Sequence, residues 1–131
     1  MNDRLNFRAK SIDNNKFVYG YLCFIYIDNE KHCKIYSPDD AMSYDCYTET
    51  LGQCTGLKDR NGRLIYENDL VKLLVARNRG WIRKGTVAPV KWGNFTCCGF
   101  MLSCLGNLTE KCAKNCEVIG NVHENKELLN E

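Results

Sequence analysis

The run from Phe17 to Ile27 constrains this chain more than any other feature. Eight of its eleven residues are Phe17, Val18, Tyr19, Tyr21, Phe24, Ile25, Tyr26 and Ile27. Aromatic and β-branched side chains lose rotamer freedom in a helix and pack well on a pleated surface. The run therefore commits the N-terminal part of the chain to strand, and Gly20 within it predicts a bulge or bend. Upstream, Leu5 to Ala9 alternates apolar and polar residues, the period of a half-buried strand. Asp13-Asn14-Asn15 and Asp28-Asn29 are turn chemistry, and the second should lead into a short strand from Cys33 to Tyr36.

Further along, Ser37-Pro38-Asp39-Asp40 breaks the pattern, and an irregular or helical piece is expected through Met42 and Tyr44. Asp59-Arg60-Asn61-Gly62 is a strong turn signal, since Asn-Gly readily supplies positive φ. The stretch Asp69 to Val75 reads as strand, although Leu70, Leu73 and Leu74 have helical spacing. Gly85 to Trp92 reads as a strand interrupted by Pro89, hence an edge strand or a bulge. Phe95 to Leu102 and Cys116 to Val122 complete the set, and Asn125 is placed to cap one helical turn ending near Leu129. Short strands punctuated by turns predict an all-β barrel or sandwich. The 131 residues suit a single domain, 1–131, with sub-parts 1–48 (N-terminal strands) and 49–131.

Charge is distributed unevenly. Residues 1–69 hold nine Lys or Arg and eleven Asp or Glu, and residues 110–131 hold three and five. Between them, residues 70–109 hold six basic residues and no acid. Nine cysteines, an odd number, accompany an N-terminus, Met1-Asn2-Asp3-Arg4, without the apolar core of a secretory signal. The expectation is a protein of a bacterial cytoplasm, with free, buried thiols and no membrane partner.

Three segments resemble the YopX family of phage and prophage proteins. They are Phe7-Arg8-Ala9 with Phe17-Val18-Tyr19-Gly20, the long stretch from Leu51 to Val71, and Glu117 to Leu129. The family commonly has an aromatic residue at the place of Cys54, glycine at Asn68 and proline at Lys126. Asn68 still tolerates left-handed backbone, so its turn should survive. The stretch from Trp81 to Cys116 matches weakly. The resemblance implies an all-β fold with a small SH3-like barrel in the C-terminal half, from Asp69 to Val122, beside an N-terminal β-hairpin layer. It implies a phage or prophage origin and no particular activity. Within the shared segments, Gly52, Gly56, Gly62 and Gly120 are expected at turns or close approaches, and Asp59 and Asn61 should bond their own turn. Glu67 and Asp69 should bracket a tight strand entry, with Asn121 beside Gly120.

No phosphate loop, dinucleotide fingerprint or nucleophile elbow is present. The two histidines, His32 and His123, sit among acidic or polar neighbours. The expectation is a non-catalytic module without a cofactor. Cys97, Cys98, Cys104, Cys112 and Cys116 are weak zinc candidates, since their spacing is not a paired CxxC pattern. Lys72, Arg77, Arg79, Arg83, Lys84 and Lys91, interleaved with Trp81 and Trp92, form the candidate binding surface. Cations neutralise phosphate and aromatic faces stack bases, so nucleic acid is one reading of this block. A host or phage protein, or a second copy of the chain, is the favoured one.

Overall fold

The computed structural model describes residues 6–75, 83–93, 99–101, 110–125 and 127. Among the described residues eleven strands run in chain order: β1 (Phe7–Lys10), β2 (Phe17–Ile27), β3 (Glu30–Ser37), β4 (Met42–Cys46), β5 (Gly52–Lys58), β6 (Leu64–Tyr66), β7 (Asp69–Leu73), β8 (Val87–Pro89), β9 (Lys91–Gly93), β10 (Gly99–Met101) and β11 (Cys116–Asn121). One α-helical turn, α1 (Glu110–Ala113), precedes β11, and a 3-10 turn, Thr48–Thr50, lies between β4 and β5. All the pairings with resolved register are antiparallel. The chain divides into two compact units, 1–54 and 55–131.

The first unit is built on β2. Its first four residues, Phe17–Gly20, pair with β1, and Tyr21–Ile27 pair with β3. Gly20 sits where the strand changes partner. A Cβ there would lie 2.0 Å from the Tyr36 carbonyl oxygen and 3.2 Å from the Pro38 ring. Only glycine lets the two backbones approach so closely. The Asp28-Asn29 turn has positive φ at both residues, 52° and 67°, which matches the twist of a two-residue hairpin. Residues 42–46, where an irregular or helical piece was expected, form the strand β4 instead. Ala41 at φ 57° turns the chain, and Asp40 Oδ1 accepts the Met42 N–H at 3.1 Å, which starts the strand without a helix. The end of β1 then meets the end of β4 at one isolated bridge, Ser11 with Cys46, where Ile12 N–H donates to the Asp45 carbonyl at 2.9 Å. Ala9, Cys33, Ile35 and Cys46 form the buried core on one face of this sheet.

In the second unit β11, β7 and β8 form a three-stranded sheet in that order, and β9 pairs with β10 as a separate ribbon. Its core is Ile65, Val71, Leu73, Ala88, Val90, Cys112, Ala113, Cys116 and Val118. The expected closed barrel from Asp69 to Val122 is not formed among the described residues. Pro89 ends β8, which lies at the edge of its sheet, and a proline has no N–H to continue a ladder outward. The all-β class and the edge position of Pro89 agree with the sequence reading. The expected helical turn after Asn125 falls mostly on residues outside the described ones; Glu127, which is described, has 3-10 helical conformation. Asn125 itself does another job: its Oδ1 accepts the Asn121 N–H at 3.1 Å.

Candidate interaction surface

The shared residues of the long middle segment hold backbone in place. Asp59 is 4% exposed, and its carboxylate accepts three N–H groups. Oδ1 takes those of Asn61 and Arg63, each at 2.9 Å, which closes the turn through Gly62 at φ 80°. Oδ2 takes that of Val118 in β11 at 2.9 Å, across 59 residues of sequence. The Asn61 contribution is its N–H. Asp69 Oδ2 accepts the Tyr66 N–H at 2.8 Å across the Glu67-Asn68 turn, where Asn68 takes φ 73°. Asn121 Oδ1 accepts the N–H groups of His123 and Glu124 at 3.0 Å. Gly52 opens β5 opposite Arg8, Gly56 lies within β5 at φ 79°, and Gly120 sits at the β11 irregularity against Asn125. The Asp59, Asp69 and Asn121 carboxylate and amide oxygens thus bond turn backbone.

The candidate metal and basic residues are only partly placed. Cys112 in α1 and Cys116 in β11 are buried in the apolar core of the second unit, while Cys97, Cys98 and Cys104 lie outside the described residues. Among the described residues no group of three His, Cys, Asp or Glu is arranged to hold a metal ion. Lys72 is exposed on β7, Arg83 and Lys84 are exposed before Gly85, and Lys91 is exposed on β9. Arg77, Arg79 and Trp81 of the candidate binding surface lie outside the described residues. His32 is half-buried on β3 and His123 lies in the turn after β11. His32 and Cys33 are adjacent in a strand and so point to opposite faces.

Of the thiols of the first unit, Cys23 on β2 is exposed, against the expectation of buried cysteines, while Cys33, Cys46 and Cys54 are buried. Cys33 and Cys46 are register partners on β3 and β4, 2% and 4% exposed. Burial pushes the Cys46 thiol up to about 11, with the neighbouring Cys33 adding to it, and burial raises Cys33 as well. Both stay protonated at neutral pH and act as small apolar side chains.

What the sequence reading did not single out is the outer face of the first sheet. Strand alternation sends Val18, Leu22 and Phe24 to the core side and Phe17, Tyr19, Tyr21 and Cys23 to the other. Tyr21 stands directly opposite Tyr36, and Tyr19 is two residues along the same face. Arg8 and Lys10 belong to this face too, at 4.7 Å and 5.7 Å from the Phe17 ring centroid. On the next strands Lys34 pairs with Asp45 at 3.0 Å. Beyond the core, the hairpin tip carries Tyr26 at 70% exposure and Ile27 at 51%. Of the eight large hydrophobic side chains exposed among the described residues, seven lie in this unit and only Val75 in the other. The signal was present in the sequence as tyrosines at i and i+2 within an otherwise apolar strand.

Comparison with known proteins places the chain. The family model described as YopX protein matches residues 6–130. The chain belongs to the YopX family. The crystal structure of protein EF1440 from Enterococcus faecalis resembles this YopX protein with a TM-score of 0.55 at 21% identity, over 95% of this chain and 96% of that one. That likeness concerns the fold. No curated protein matches the sequence. No helix among the described residues of this YopX chain is long and apolar enough to cross a membrane.

Proposed function

We propose that this YopX protein is a non-catalytic protein-interaction module of phage or prophage origin, working in the bacterial cytoplasm through the first sheet. The observation that carries this reading is that seven of the eight exposed large apolar side chains among the described residues lie in that unit, with Tyr21 and Tyr36 paired across β2 and β3. Clustered exposed aromatics are the usual anchors of protein interfaces, since they bury much area at low entropic cost. The shared polar residues Asp59, Asp69 and Asn121 are engaged in turns, which supports a scaffold role for them. The second reading, nucleic acid bound through Lys72, Arg77, Arg79, Trp81, Arg83, Lys84 and Lys91, rests on the acid-free block of residues 70–109.

The test is affinity capture from a bacterial lysate, with and without nuclease. The double variant Tyr21→Ser/Tyr36→Ser should lose the captured protein while its thermal stability changes by less than about 1 kcal/mol, the scale of one exposed cross-strand pair. Capture that vanishes with nuclease and survives the tyrosine changes would transfer the function to the basic block.

A further inference from the structure

We infer that Asn61-Gly62 is a self-modification site, at which the Asn61 side chain converts to an acid without an enzyme whenever the turn through Asp59 opens. No other Asn-Gly pair occurs in the sequence. The chemistry is intramolecular. The Gly62 backbone nitrogen attacks Cγ of Asn61, a bond forms between them, and the Cγ–Nδ2 bond breaks. The Gly62 N–H proton leaves with the side-chain nitrogen as ammonia, and a five-membered imide is left in the backbone. One water molecule then opens the ring at either carbonyl, giving aspartate or isoaspartate at position 61. Glycine, with no Cβ, hinders the attacking nitrogen less than any other following residue would.

The fold exposes the side chain and holds the backbone. Asn61 and Gly62 are both exposed, and a Cβ on Gly62 would meet nothing within 4 Å. Five consecutive N–H groups are nonetheless engaged. That of Asp59 donates to the Arg63 carbonyl at 2.9 Å, that of Arg60 to the Cys116 carbonyl at 3.0 Å and that of Gly62 to the Asp59 carbonyl at 3.0 Å. Those of Asn61 and Arg63 go to Asp59 Oδ1. The attacking nitrogen is thus a bonded donor in a turn pinned to β11 twice, through Arg60 and through the Val118 N–H on Asp59 Oδ2. Ring closure draws the Gly62 nitrogen onto Cγ and off the Asp59 carbonyl, so the closed turn withholds the nucleophile and local opening supplies it. The products do not let the turn re-form as it was. Isoaspartate inserts a carbon into the backbone between the two N–H groups that share Asp59 Oδ1. Aspartate adds a negative charge to the residue whose N–H the Asp59 carboxylate holds, a like-charge contact. A transient opening of the link to β11 therefore becomes a lasting one.

The test is peptide mapping by mass spectrometry of the full chain, incubated with reductant in mildly alkaline buffer, with the aspartate and isoaspartate forms of position 61 separated by chromatography. Three samples are followed: the folded chain, the chain unfolded in urea, and Asp59→Ala under folding conditions. The folded chain should convert at least about tenfold more slowly than the unfolded one, and Asp59→Ala should lose most of that difference. Amide hydrogen exchange at Gly62 is measured alongside, because both reactions wait for the same bond to open. The factor by which folding slows conversion should match the factor by which it protects that amide. Equal conversion in the folded and unfolded chains overturns the inference, since the turn is then no gate. An unfolded chain that does not convert at position 61 overturns it as well. Should Asp59→Ala fail to fold, urea below the unfolding transition of the wild-type chain takes its place. Conversion and Gly62 exchange should then rise together, and a rise in exchange without a rise in conversion sinks the idea.

Discussion

The two units bury their apolar residues differently. The second packs Ile65, Leu70, Val71, Leu73 and Val90 fully out of water, whereas the first has Ile35 as its only large aliphatic side chain so completely buried among the described residues. The rest of the first core is Ala9, Cys33 and Cys46, with Phe7, Val18, Leu22 and Phe24 partly exposed around it. Burial of apolar area is worth roughly 25 cal/mol per Å². The second unit therefore draws more stability from its interior, while the first leaves aromatic area at its surface.

Intrinsic probes can break the comparison, because both tryptophans, Trp81 and Trp92, lie in residues 55–131 and six of the seven tyrosines lie in residues 1–54. The largest effect is expected from Asp59→Ala. It strands the N–H groups of Asn61, Arg63 and Val118, and should cost roughly 2–4 kcal/mol, read as a lower midpoint in the tryptophan-monitored urea transition. An unchanged midpoint would mean that the buried carboxylate does not hold the turn to β11. Next, Gly20→Ala forces a methyl against the Tyr36 carbonyl and should cost roughly 1–3 kcal/mol, seen first in the tyrosine signal.

The smallest effect is alkaline. Cys46 titrates at about 11 in the fold against an ordinary 9.0. Its folded value is raised, so the stability it contributes is complete below pH 9 and is lost as pH climbs from 9 to 11. The loss should be on the order of 1–2 kcal/mol in the tyrosine transition and should be smaller in Cys46→Ala, where only the raised Cys33 thiol remains of the pair. An equal alkaline loss in that variant would place the titrating group elsewhere.

Much of the architecture was legible locally. The turns at Asp28-Asn29 and Asn61-Gly62, the left-handed Asn68 and the edge strand at Pro89 each follow from the conformational range of one or two residues. What was not legible depends on distance. Nothing near Asp59 in the sequence announces a bond to Val118, and nothing in Asp59's own turn requires a second oxygen elsewhere. Residues 42–46 were misread because the preceding Pro38-Asp39-Asp40 suggests a break, and only pairing with β3 makes Met42–Cys46 a strand. The basic block drew attention to residues 72–91 because charge is conspicuous in a sequence. The tyrosine face was hidden in a run whose aromatic residues equally suit a core, since which side of β2 meets solvent is decided by β1 and β3.

Strand β5 has a practical consequence for anyone dissecting the molecule. The division between the units, after Cys54, falls inside it: Gly52 and Gln53 ladder with β1, and Thr55 Oγ1, three residues into the strand, donates to the Ile65 carbonyl at 2.8 Å. There is no linker at which to cut. A fragment ending at residue 54 or beginning at 55 would carry half a strand, with raw backbone at a new end. The two halves of this protein are therefore better studied by point substitution within the intact chain than by expressing them apart.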